Sequence, residues 1–238
     1  MQLVTTKDVL KEPPGRQMTN RLRIVAIDGP AGAGKSTIAQ ALALALDIPY
    51  LDTGAMYRMV TYAALRDGID LQDENAVADV ARRMNTVMSA DRFFVDEVDV
   101  TDIIRGAQVT EAVSIVAALS EVRNELRAAQ RAWVENAGGG VVEGRDIGTV
   151  VFPDATLKVF LTASPAIRAQ RRVSQSGGDV LAIEEQIRRR DHLDSTRADS
   201  PLRESKDSLL IDTTDLSIEK VVQQIVSSVA NIESSSHE

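Results

Sequence analysis

The chain has 238 residues, 44% hydrophobic and 26% charged, enough apolar material for one domain with insertions or for two small lobes. Its formal net charge of -8 repels long phosphate polymers and anionic lipid surfaces, which argues against nucleic-acid and membrane partners and confines any phosphate site to a local group of cations. It contains no cysteine, so disulfides, thiolate nucleophiles and cysteine-built metal sites are excluded, and no apolar run approaches the roughly 18 residues of a membrane span; a cytoplasmic setting is expected.

Residues 1–20 hold Pro13, Pro14 and Gly15 in a polar, aperiodic setting and read as a disordered leader. From Ile24 to Ile27 a short apolar, partly β-branched run ends at Asp28-Gly29, the pattern of a buried parallel strand. A helix is predicted over Lys35 to Leu46, rich in Ala and Leu and closed off before Pro49. A helical segment is predicted around Asn75 to Met88, followed by a hairpin with arms Phe93 to Val95 and Val98 to Val100 around Asp96-Glu97. Further buried strands are predicted at Val141-Val142, Leu157 to Leu161 and Leu209 to Ile211. A last helix over Ser217 to Val229 carries Val221, Val222, Ile225, Val226 and Val229 on one stripe. Strands alternating with helices imply an α/β fold with a parallel sheet and crossover connections. Trp133 and the Phe93-Phe94 pair read as core, and His192 as incidental.

Between strand and helix, Gly29-Pro30-Ala31-Gly32-Ala33-Gly34-Lys35-Ser36 matches the pattern G-x-x-x-x-G-K-S/T in the context it requires. Glycines let the backbone curl so that successive N–H groups converge on phosphate oxygens at the positive end of a helix. Lys35 supplies a mobile point charge for the β- and γ-phosphates, and the Ser36 hydroxyl is placed to ligate Mg²⁺. Thr37 completes the expected triphosphate-binding stretch. The motif alone does not separate a kinase from a switch, but the chain lacks the Asn-Lys-x-Asp string of a guanine-nucleotide switch.

Three further strings follow: Asp52-Thr53-Gly54-Ala55-Met56-Tyr57-Arg58, then Val141 to Ala155 with Glu143-Gly144-Arg145-Asp146 at its heart, then Arg190-Asp191-x-x-Asp194-x-x-Arg197-x-x-Ser200-Pro201-Leu202. Together with the phosphate loop they resemble bacterial-type cytidylate kinases, within the P-loop nucleoside monophosphate kinases, from about Ile24 to the final helix. The resemblance implies a three-layer α/β/α P-loop NTPase fold with a central parallel sheet, an inserted acceptor lobe and a helical lid. It implies ATP as donor with Mg²⁺, CMP or dCMP as acceptor, and a monomer. Carried over by position, Arg58, Arg145 and Arg197 are expected at the acceptor phosphate, Ser114, Arg123 and Asp146 at cytosine, Arg190 and Asp194 at the ribose. Thr53 keeps the hydroxyl that some members supply with Ser, and Glu143 stands where members often have Asp.

On this reading one kinase domain spans 21–232, with a core of about 23–58 and 105–232, an acceptor lobe of about 59–104 extending into neighbouring helices, a lid of about 164–190 and a frayed tail at 233–238. The stretch 164–203 gathers arginines in a chain that is otherwise acidic. There Arg168 and Arg172 lie one helical turn apart beside Arg171, flanking a Ser174 to Asp179 tip, and are expected to face the transferring phosphoryl group. CMP already presents an anionic phosphate oxygen, so positioning and charge neutralisation by Lys35, Arg145, Arg168 and Arg172 are expected to carry catalysis without a general base. A kinase for UMP or another phosphorylated acceptor and a non-catalytic nucleotide-binding switch are the competing readings.

Overall fold

A computed structural model describes residues 22–89 and 91–235, apart from the side chain of Ser176; the expected leader lies outside them. In chain order the elements are β1 (Arg23–Asp28), α1 (Lys35–Leu46), β2 (Tyr50–Asp52), α2 (Thr53–Arg66), α3 (Glu74–Arg83), β3 (Thr86–Met88), β4 (Phe93–Val95) and β5 (Val98–Asp99), followed by α4 (Ala107–Val116), α5 (Ser120–Ala137), β6 (Gly139–Gly144), β7 (Leu157–Thr162), α6 (Pro165–Ser176), α7 (Val180–Thr196), β8 (Leu209–Asp212) and α8 (Ile218–Ser235). The described chain divides into two compact units, one comprising 24–54 and 139–235, the other centred on 55–138.

The first unit holds a five-stranded sheet in the order β2-β6-β1-β7-β8. The pairs β2 with β6, β1 with β7 and β7 with β8 are parallel. Val25, Ile27, Val141, Val159, Leu161 and Ile211 from the strands share one core with Ile38 and Leu42 of α1 and Val221, Ile225 and Val229 of α8. Each such side chain taken out of water contributes about 1.5–3 kcal/mol. β1 is buried and apolar from Val25 to Ile27 because both sides of a central parallel strand are normally covered, as the run from Ile24 to Ile27 foretells. α1 has the predicted bounds, and ends at Asp47, whose left-handed backbone (φ 52°) lets its N–H reach the carbonyls of Ala43 and Leu44. α8 continues to Ser235, beyond the predicted end at Val229, because no Gly or Pro interrupts it.

The second unit contains α3, α4, α5 and the antiparallel ribbon β3-β4-β5. The helix predicted through Met88 stops at Arg83. Met84 is extended, and the β-branched Thr86 and Val87 pair with Val95 and Phe94 instead. The hairpin lies where expected, turning on Asp96 and Glu97 with φ of 49° and 69°. Phe93 is buried, while Phe94 and Trp133 are only half-buried. α3 begins at Asp73, whose carboxylate accepts from the Ala76 N–H, and is tied to α5 by Arg82 to Glu125 at 2.8 Å. Among the described residues no helix is long and apolar enough to cross a membrane.

Gly29 is a point where the fold leaves little room. Its φ is +149°, and a Cβ built there would lie 2.1 Å from the Leu161 carbonyl oxygen of β7. Gly29→Ala is therefore expected to cost about 3 kcal/mol or more, lowering the thermal midpoint by roughly 6–12 °C. A melting curve within 2 °C of the parent would contradict the close approach.

Candidate active site

The phosphate loop is built by three glycines with positive φ, Gly29 at 149°, Gly32 at 78° and Gly34 at 89°, the last serving as N-cap of α1. Its shape is held from behind through carbonyls. Arg168 donates from Nη1 to the Ala31 carbonyl at 3.1 Å, from Nε to Ala163 O at 2.9 Å, and pairs with Asp191 at 2.6 Å. The Thr213 hydroxyl lies 3.1 Å from the carbonyls of both Ala33 and Thr162, and Arg171 donates to Thr213 Oγ1 at 3.0 Å and to its carbonyl at 2.6 Å. Of the arginines predicted for the lid, Arg168 is thus buried against the loop, whereas Arg172 is exposed.

Within this unit several cations are held close together. Lys35 is buried, with Nζ donating to Pro30 O at 2.9 Å. Burial pushes its ammonium well below the ordinary lysine range, the Arg145 guanidinium adds to the effect, and Glu143 partly opposes it. Arg190 is pushed down to about 10 by burial and then by Arg145, with Asp194 opposing. Its Nε is buried with no hydrogen-bond partner among the described residues. Arg145 donates from Nε to Asp194 at 2.9 Å. Burial works against both charges, but the pairing prevails: Arg145 is raised and Asp194 lies below the usual carboxylate range.

Two carboxylates face each other across the β2-β6 pair, Asp52 opposite Glu143. Burial raises Glu143, the Asp52 charge adds to it, and Tyr50 donates its phenolic proton to Glu143. Ser36 lies in hydrogen-bonding contact with both Tyr50 and Glu143. Hydroxyl and carboxylate oxygens are the donor set that a hard divalent ion prefers, so the residues present fit Mg²⁺ beside the phosphate loop. The Thr53 hydroxyl donates to the Glu143 carbonyl at 2.6 Å. After β6 the chain makes one turn of π-helix, Ile147–Val151, with the Asp146 carbonyl accepting from Val150 and Val151. Arg197 Nη2 is 3.4 Å from the buried Asp146 carboxylate, and its Nε donates to Ser200 O at 2.7 Å.

The remaining predicted residues belong to the other unit. There Thr110, Ser114 and Ala117 follow one another at helical spacing, the first two on α4 and Ala117 at its C-cap. Arg58 donates to Thr110 Oγ1 at 2.9 Å and to Ile104 O at 2.8 Å. Arg123, almost wholly buried, donates to Ala117 O at 3.0 Å and stands 5.5 Å from the Tyr57 ring centroid. The half-buried Ser114 lies in sequence between the two contact points.

Residues 25–231 match the profile of a family described as cytidylate kinase. The chain belongs to the cytidylate kinase family. It is 49% identical over 218 residues to a cytidylate kinase of Rhodococcus jostii (strain RHA1), covering 88% of this chain and 95% of the relative. It is 48% identical to cytidylate kinases of Mycobacterium leprae (strain Br4923), over 85% of this chain and 93% of that one, and of Geobacillus kaustophilus (strain HTA426), over 85% and 94%. Among solved structures, a gluconokinase from Sinorhizobium meliloti 1021 aligns with a TM-score of 0.51 at 14% identity, over 91% of this chain and 96% of that one. An uncharacterized protein from Eubacterium ventriosum ATCC 27560 aligns at 0.54 and 13%, over 89% and 99%. At such identities the likeness concerns the fold alone, a parallel sheet flanked by helices.

Sequence reasoning missed several residues that shape the candidate site. Thr213 and Asp191 act from far along the chain on the phosphate loop and its arginine, and Tyr50 reads as one more apolar residue before Asp52. Only Asp28 leaves a local signal, a carboxylate closing an apolar strand just before the glycines.

The Arg145–Asp194 pair has a definite pH signature. Because the folded-state Asp194 carboxyl lies below its unfolded value, its contribution is present above about pH 4 and is lost as pH falls through the lower folded value. Asp194→Asn is expected to cost about 3 kcal/mol at pH 7, the variant's deficit shrinking as pH is lowered below about 4. Denaturant unfolding over that range checks it, and a deficit independent of pH would refute the pairing.

Proposed function

We propose that this chain transfers the γ-phosphoryl group of ATP to CMP or dCMP, giving ADP with CDP or dCDP, in the presence of Mg²⁺. The observation that carries the reading is the crowding of Lys35, Arg145 and Arg190, mutually repelling and only partly balanced by Glu143 and Asp194, in the unit that holds the phosphate loop. Such an arrangement is relieved by polyanionic ligands. Its family membership supplies the substrate class.

On this reading the amides of Gly29 to Ser36, with Thr37 beyond, hold the ATP phosphates, and Lys35 sits against the β- and γ-phosphates. Ser36, backed by Glu143 and Asp52, would hold Mg²⁺, which would supply charge neutralisation at the phosphate oxygens. Arg58, Arg145 and Arg197 take the acceptor phosphate, which guanidinium forks suit, with Thr53 beside them. Ser114, Arg123 and Asp146 read cytosine. A carboxylate or hydroxyl accepts from its amino group, and a guanidinium donates to its ring nitrogen and carbonyl. Arg190, with its buried Nε, and Asp194 take the ribose. A phosphate monoester has its second pKa near ~6, so the attacking oxygen is already anionic and no residue need remove a proton. Arg168, against Ala31, and exposed Arg172 lie on a lid of about 164–190. The region 59–104 with its neighbouring helices forms the acceptor lobe. The enzyme works as a cytoplasmic monomer.

An ADP-release assay with CMP, dCMP, UMP and AMP tests the assignment directly; CMP and dCMP are expected to give the highest kcat/KM, and preferential use of any other acceptor would overturn it. Lys35→Ala is expected to lower kcat by about 10²–10³-fold or more with little change in thermal midpoint. Asp146→Ala is expected to shrink the CMP over UMP preference in kcat/KM by about tenfold or more, and an unchanged ratio would remove Asp146 from base recognition.

A further inference from the structure

Asp28 is the last residue of β1, buried at 5% exposure, and no step above uses it. Its two carboxylate oxygens each accept one backbone amide from the turn that follows β6, Oδ1 from Ile147 N at 2.8 Å and Oδ2 from Gly148 N at 2.7 Å. The next residue, Gly29, opens the phosphate loop, and the residues just before the two amides are Arg145 and Asp146. One side chain thus ties the root of the donor loop to the segment that carries two acceptor residues. The turn is tight: Ile147 folds back over Gly144, where an added Cβ would come within 2.6 Å of Ile147 Cδ1. The Asp146 carbonyl is engaged by Val150 and Val151, so the turn has little freedom to re-form elsewhere.

The geometry points to Asp28 as a positioning residue for phosphoryl transfer, a clamp that sets Arg145 and Asp146 in register with the phosphate loop. This rests on the reading of those two residues as acceptor-binding. Two features favour a clamp over a simple filler. A carboxylate is the one side chain of this length that can accept from two amides through two separate oxygens. Burying it is costly, and burial pushes the carboxyl up to about 6 while the Gly148 and Ile147 amides pull it back. A residue serving only the core would be apolar here, as its strand neighbours Ala26 and Ile27 are.

Asp28→Asn tests the clamp, since it preserves size and one acceptor oxygen but presents an NH₂ group to the second amide. Steady-state kinetics of this variant and of Arg145→Ala, with both substrates varied, should be run beside amide hydrogen exchange of Ile147 and Gly148. The expected result is a KM for CMP raised about tenfold, a KM for ATP changed less than twofold, and faster exchange at the two amides. If CMP use falls in Arg145→Ala but stays normal in Asp28→Asn, the clamp is wrong while the acceptor site stands. If CMP use is normal in both, the acceptor reading has failed and the clamp with it. Equal rises in both KM values would make Asp28 a general brace and overturn the inference. Should Asp28→Asn not fold, Asp28→Ser, which sets no NH₂ group against the second amide, takes its place under the same criteria.

Discussion

Positive charge held out of water is the constraint around which this protein is arranged. Lys35 is buried, Arg145 and Arg190 are half-buried, and the three repel one another, so each is favoured by a partner or a ligand. Asp194 answers Arg145, and Glu143 answers Lys35 in part. The partners belong to different elements: Lys35 opens α1, Glu143 lies on β6, Arg145 follows β6, and Arg190 and Asp194 lie on α7. The parallel order β2-β6-β1-β7-β8 places β6 beside β1, and so brings the Glu143-Gly144-Arg145-Asp146 string next to the root of the phosphate loop.

A second consequence is the way the loop is held. A phosphate loop must keep its backbone amides for the ligand, so what fixes its shape has to work through its carbonyls. Arg168 does so at Ala31 and Thr213 at Ala33, while the Lys35 ammonium takes Pro30 O. Arg171, which from sequence looked like one more lid cation, is committed to Thr213. Arginine in this region both braces carbonyls and pairs with carboxylates, and residue type alone does not separate the two uses.

The parts legible in the sequence are those whose cause is local. The apolar run before Asp28, the glycines of the loop, the Ala- and Leu-rich α1 and the stripe of α8 all declare themselves within a dozen residues, and the sheet follows from their alternation. The segment after Arg83 reads as helix by periodicity, but Thr86 and Val87 owe their strand to pairing with β4, a partner that periodicity cannot see. The motif strings named the candidate site residues, of which Lys35, Arg145, Arg190 and Asp194 interact within the unit that holds the phosphate loop. Asp28, Tyr50, Asp191 and Thr213 escaped because each acts on a group distant in sequence: Thr213 reaches Ala33 across 180 positions and Asp28 reaches Gly148 across 120.

Two left-handed residues, Asp47 and Ser200, illustrate what such strain can mean. At Ser200 (φ 51°) the unusual backbone is buried and presents its carbonyl to Arg197, so relaxing it would disturb a guanidinium of the candidate site. Asp47 (φ 52°) is exposed at the end of α1, where glycine would meet the same need without steric cost. The protein thus carries a small reserve of unused stability remote from its chemistry, open to improvement by natural variation or by engineering while the costly arrangement at Ser200 is kept.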